Sequence, residues 1–159
     1  MTKDDFSPED WQLVVSAPSL VGLAVSAASP SGPLGVMKEM FVVGTAITDM
    51  VQDQKNNALI QAIMEDIRHH ETRTIRPAGA TDMEEARAWA LAELSRVPAV
   101  LERAGGGAVG DEYLRWLVAV AVRVAEAAKE GSVFGLGGEK VSDDEDVAIG
   151  EVARALAIE

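Results

Sequence analysis

With 159 residues, 48% of them hydrophobic and 25% charged, the chain has the size and composition of one globular domain that can bury a core without crosslinks. Fourteen basic residues against 26 acidic ones give a formal charge of -12, which repels phosphate backbones and sets nucleic acid aside as a partner. Cysteine is absent, which excludes disulfides and thiolate metal sites; the opening Lys3-Asp4-Asp5 also lacks the pattern of a secretory signal, so a cytoplasmic address is expected.

Aromatic residues make up only 4% of the chain, so packing must come from small aliphatic side chains, which suit helices at short separation. Ser7-Pro8-Glu9-Asp10 carries a cap residue, a proline at the first helical position and acids in the first turn. The helix it opens is expected to run to about Ala28, bent near Pro18, and to stop at Ser29-Pro30-Ser31-Gly32-Pro33. Trp11 to Met37 is the longest uncharged stretch, long enough to cross a bilayer, but its prolines, glycines and serines interrupt it and favour a buried hairpin. A second helix is expected from about Leu34, with Val36, Met40, Val43, Ile47 and Val51 on one stripe. Leu59, Ile63 and Ile67 either continue it or start anew.

Thr72 to Ala80, with Pro77 and Gly79, reads as a connection. Thr81-Asp82-Met83-Glu84 then fits a capping box with Thr81 as the cap, and Met83, Ala86, Ala90 and Leu94 form the stripe that follows. Pro98 bends or restarts this helix before Gly105-Gly106-Gly107 ends it. From about Asp111 the apolar face of Tyr113, Leu117, Val120, Ala121, Val124 and Ala128 is joined by Val118, Ala119 and Val122 off the stripe. That breadth predicts the middle position of the bundle. A glycine-rich loop, Gly131 to Val141, leads to Ser142-Asp143-Asp144-Glu145, a second capping box, and to a last helix with Ile149, Val152, Ala153 and Leu156 inward. The fold class is therefore all-α, a compact bundle of about five to seven helices in a single domain. Ala27-Ala28 and Ala127-Ala128 each precede a Pro- or Gly-rich loop and a helix. Two pseudo-repeated halves would give this order, although no residues recur at fixed offsets.

The stretch from Trp116 through Ala125-Glu126-Ala127-Ala128 to Val141-Ser142-Asp143-Asp144-Glu145 and Ala153-Arg154-Ala155-Leu156-Ala157-Ile158 resembles the tellurite-resistance TerB-like family. The resemblance implies a small helical bundle, a role in stress responses at the inner membrane surface and, in some members, metal held by acids of interhelical loops. The chain departs from the pattern at Lys129-Glu130-Gly131, where the family has aspartate-glycine, and then inserts Ser132 to Gly138.

Glu139, Asp143 and Asp144 lie in the densest acidic cluster, whose oxygens suit a hard divalent cation. Acids in a helix's first turn also serve the dipole, and this is the reading expected to hold. Asp66 and His69 have the spacing of one arm of a di-iron site, but two adjacent histidines cannot supply a second arm, which leaves a solvated helix end. Arg68, His69, His70, Arg73 and Arg76 form the basic patch of an acidic chain and suit an acidic partner or an anion. Phe134 and Leu136 offer an apolar tip for a partner groove or a bilayer surface. No nucleophile stands beside a base in a recognisable motif. The expectation is a non-enzymatic interaction or scaffold module, with a protein partner or self-association and no cofactor. The alternatives are a membrane-surface protein that uses residues 11–37 and a metal-dependent enzyme.

Overall fold

The computed structural model describes residues 1–28, 57–79, 82–132 and 143–158, the side chains of 128–132 and 143–145 excepted. A 3-10 turn, Lys3–Asp5, is followed by α1 (Pro8–Ser26), α2 (Ala58–His69), α3 (Met83–Leu94), α4 (Val97–Arg103), α5 (Gly107–Ser132) and α6 (Asp143–Ala155). No strand occurs among the described residues, and the fold is an all-α bundle. The expected stripe at Val36 to Val51 lies outside the described residues.

Local signals place the helix starts. The Ser7 hydroxyl accepts from the Asp10 amide, and Pro8 takes the first position of α1. Asn57 caps α2 by accepting from the Ile60 amide, so Leu59 begins a new helix. The same side chain donates to the Val109 carbonyl and to Glu112, tying the start of α2 to α5. In α3 the cap is Asp82, which accepts from the Glu85 amide, one residue later than the expected Thr81. Both residue types cap well, so the sequence alone does not fix that register. Pro98 restarts the chain: α3 ends at Leu94, and α4 carries the proline in its own first turn. The Gly106 amide donates to the Leu101 carbonyl at 2.8 Å, where any Cβ would collide with that oxygen. Helix α5 begins a turn earlier than Asp111 and runs through Gly131 and Ser132, which were expected in a loop. At the far end, Ala157 has φ +54 while the amides of Ala157 and Ile158 bond back to Arg154 and Ala153, closing α6 with a Schellman motif.

The middle of the bundle belongs to α1, which packs against every other helix described and most extensively against α3 and α5. This corrects the expectation for the segment after Asp111. Between Trp11 and Ser26 only Gln12, Ser19 and Leu23 escape burial, and a helix enclosed on nearly all sides has little amphipathic contrast to reveal it. In α5 the stripe of Tyr113, Leu117, Val120, Ala121 and Val124 is buried as expected. Val118 and Ala119 are half-buried, however, and Val122 is 37% exposed. Helices α1 and α3 both bury small residues, Ala17, Gly22 and Ala24 in the first and Ala86 and Ala90 in the second, which suits a close approach.

Pro18 lies inside α1 and is buried. A proline there has no amide hydrogen for the carbonyl four residues back, which is that of Val14. The hydroxyl of Tyr113, fully buried on α5, donates to the Val14 carbonyl at 2.7 Å. Burial pushes the Tyr113 phenol well above its ordinary range, which keeps it protonated as a donor. The Tyr113 ring stacks on Trp116 at 5.8 Å. A half-buried ion pair, Arg87 with Glu151, joins α3 to α6.

Leu117→Asp should unfold the domain or nearly so, because an unpaired charge on the α1-facing stripe costs about 3–5 kcal/mol or more against a total of about 5–15 kcal/mol. Val122→Asp, on the open side of the same helix, should change stability by no more than about 0.5 kcal/mol. Chemical denaturation of both variants checks this. Equal losses would mean that α5 is not oriented as described.

Candidate functional site

Helix α2 buries Leu59, Ile60 and Ile63, and the same face also carries Asp66, a carboxylate only 3% exposed. A buried charge persists only where its oxygens are matched by donors. Four donors meet this one. The Trp11 indole donates at 2.8 Å, the Thr72 amide at 2.8 Å, the Thr72 hydroxyl at 2.7 Å and the Lys3 ammonium at 3.2 Å. Burial pushes the Asp66 carboxyl up, but the hydrogen bonds from Trp11, Thr72 and Lys3 together outweigh it and hold it below the usual carboxylate range. Asp66 thereby joins the N-terminal turn, α1, α2 and the connection that follows α2.

That connection is held along α1. The Gln12 amide donates to the Arg73 carbonyl at 2.7 Å, and the Ser16 hydroxyl accepts from the Ile75 amide at 3.0 Å while donating to the Gln12 carbonyl. Gln12, Ser16, Ser19 and Leu23 follow one another at helical spacing, so residues 73–75 lie over the first half of this line of α1. Along this strap Thr72, Thr74 and Ile75 are partly buried, and Arg73 and Arg76 are exposed.

The basic residues singled out from sequence are all on the surface here. Arg68 and His69 occupy the last turn of α2, where positive charge complements the helix dipole. His70 adopts φ +54 and closes the helix, its amide bonding to the Ile67 carbonyl and that of Glu71 to the Asp66 carbonyl. Glycine is the usual residue in that conformation, and histidine is among the few others that tolerate it. Arg87, Arg96, Arg103 and Arg123 each pair with a carboxylate, whereas Arg68, Arg73 and Arg76 pair with none among the described residues. Arg115 and Arg154 also pair with no carboxylate among the described residues but stand singly. The two acids nearest the basic run in sequence, Asp66 and Glu71, are both held by Lys3, at 3.2 and 3.0 Å. Lys3, Asp66 and Glu71 border a shallow depression of about 210 Å³ that Thr2, Asp4, Trp11, Ala62 and Glu65 also line and that none of the arginines enters.

Asp66 and His69 do not share an environment, the one buried and the other exposed, so the di-iron spacing brings no ligand pair together. Among the described residues no group of three or more histidine, aspartate or glutamate side chains converges as a metal site. Asp143 and Asp144 open α6, and their side chains, together with Glu139, Phe134 and Leu136, lie outside what is described. The depth of Asp66 escaped the sequence reading. Its signal was the spacing of three and seven residues from Ile63 and Leu59, which sets an acid on an apolar stripe.

No helix among the described residues is long and apolar enough to cross a membrane. No family model, curated protein or solved structure matches the chain.

Asp66→Asn should destabilise the domain by about 2–4 kcal/mol near neutral pH, because an amide cannot accept from all the donors that converge there and brings donors of its own. A lowered native pKa contributes stability that is present above the unfolded value, about 3.9, and is lost as pH falls through the native value. The gap between wild type and Asp66→Asn should therefore narrow as pH falls from about 5 towards 2. Urea denaturation across that range checks it. A gap that stays constant with pH would contradict the role given to the ionised carboxylate.

Proposed function

We propose that this protein is a non-enzymatic helical interaction module whose basic edge, Arg68 to Arg76, receives a protein partner. The observation that carries the reading is the set of three exposed arginines, without carboxylate partners among the described residues of a chain of net charge -12, two of them on backbone that Gln12, Ser16 and Asp66 hold in place. Among the described residues, charge compensation pairs Arg87, Arg96, Arg103 and Arg123 but not these three. The titratable groups of the described residues whose proton affinity is displaced also support a role in binding. Asp66 and Tyr113 are engaged inside the fold, and Lys3 and Arg96 sit in ion pairs. Each of the four already has a hydrogen-bond or ion-pair partner within the fold. The resemblance of residues 116–158 to the TerB-like family extends the proposal to an adaptor in a stress response.

The test is affinity capture from cell extract with three baits: wild type, the triple Arg68→Glu, Arg73→Glu, Arg76→Glu, and a control with Arg115→Glu and Arg154→Glu. A protein retained by wild type and control and lost by the triple is the expected result. Retention by none of the three, or equally by all, would overturn the reading.

A further inference from the structure

We propose that Arg68, Arg73 and Arg76 form a preorganised seat for a short, carboxylate-rich peptide segment, and that Lys3 keeps the seat electropositive by holding Asp66 and Glu71. The inference rests on the interaction-module reading and gives the partner its chemistry.

Two features of the strap set the seat apart from ordinary surface charge. Its backbone is fixed on both sides of Arg73: Thr72 is bonded to Asp66 through amide and hydroxyl, the Arg73 carbonyl receives Gln12, and the Ile75 amide reaches Ser16. An arginine on a fixed backbone loses less freedom when it binds, so more of the contact energy remains as affinity. Guanidinium groups also match carboxylates in paired, forked hydrogen bonds, which a lysine patch would not supply.

Lys3 is the second part. Asp66 faces the core, whereas Glu71, exposed and two residues before Arg73, is the acid that lies within the basic run. Both are taken by the Lys3 ammonium, at 3.2 and 3.0 Å. Lys3 is therefore a positioning residue, acting on the seat through the acids it removes from competition. Glu65, exposed on the preceding turn of α2, bounds the seat on its acidic side.

The overall charge selects the size of the occupant. Arg73 to Arg76 spans about 10 Å of chain, close to the Debye length of about 8 Å in physiological salt. A short acidic segment feels the local arginines. A longer polyanion, whether nucleic acid or an anionic membrane, extends over the rest of a surface with net charge -12 and is repelled.

The experiment measures fluorescence anisotropy of a labelled peptide of about eight glutamates, titrated with the full chain at about 50 and 300 mM salt, beside a labelled DNA single strand of about 40 nucleotides, long enough to extend beyond the arginines. Expected is saturable peptide binding that salt weakens, with DNA markedly weaker. The triple charge reversal should weaken the peptide at least about tenfold, and the Arg115→Glu, Arg154→Glu control should leave it unchanged. Lys3→Gln should weaken it about threefold, with recovery on adding Glu71→Gln, a rescue that simple loss of stability would not produce. Absence of saturable peptide binding, indifference to the triple change, or DNA binding as tightly as peptide would overturn the seat. Lys3→Gln without effect, or without rescue, would overturn the part given to Lys3. A partner captured by wild type and lost by the triple, together with no peptide binding, would leave the interaction module standing and remove its acidic occupant.

Discussion

A proline in the middle of a helix that is buried on nearly every side leaves one carbonyl without its helical donor, in a place water does not reach. In this bundle the carbonyl is that of Val14, and its partner is the hydroxyl of Tyr113. The bond fixes where α5 crosses α1, because the phenol must arrive at one point on the backbone. Much else follows from that crossing. Leu117, Val120 and Val124 continue the buried stripe from Tyr113, Trp116 stacks on its ring, and Asn57 ties the opposite margin of α5 to the start of α2. Beside the faces that meet α5 and α3, α1 carries the polar line of Gln12, Ser16 and Ser19.

That line connects the core to the surface edge. Its first half, at Gln12 and Ser16, gives hydrogen bonds to the strap of residues 73–75, and the strap's outward positions carry Arg73 and Arg76. Asp66 supplies the other anchor. Its four donors come from the N-terminal turn, from α1 and from Thr72, so the strap cannot lift without exposing an ionised group that the fold has dried. The basic edge thus inherits its rigidity from two polar devices inside an aliphatic bundle, Ser16 with Gln12 and Asp66 with Trp11.

What could be read from the sequence divides along the distance over which each interaction acts. The sequence leaves the start at Asn57 open between a continuation and a new helix, but Ser7-Pro8 and Asp82 act within one turn, and the helix starts they mark were legible, the second displaced by one residue because Thr81 and Asp82 are both capping types. The stripe of α5 was legible for the same reason. The central place of α1 was not, because its burial depends on Tyr113, 99 residues from Val14, and because serines, glycine and proline dilute its hydrophobic character. The basic run at Arg68 to Arg76 was visible directly as composition. Its rigid mounting and the diversion of Asp66 and Glu71 were not, since they need Lys3 and Gln12 brought across more than sixty residues.

The central claim is that Tyr113 takes the place of the hydrogen that Pro18 lacks, and a double-mutant cycle measures this in the native bundle. Tyr113→Phe in the wild-type background strands the Val14 carbonyl and should cost about 1–3 kcal/mol by chemical denaturation. In a Pro18→Ala background the amide at position 18 can reach that carbonyl, so the same Tyr113→Phe change should cost less than about 1 kcal/mol. A coupling of that sign and size is the result expected of a tyrosine that caps the proline break. Costs that simply add, with Tyr113→Phe equally damaging in both backgrounds, would show that the hydroxyl serves something other than the carbonyl the proline sets free.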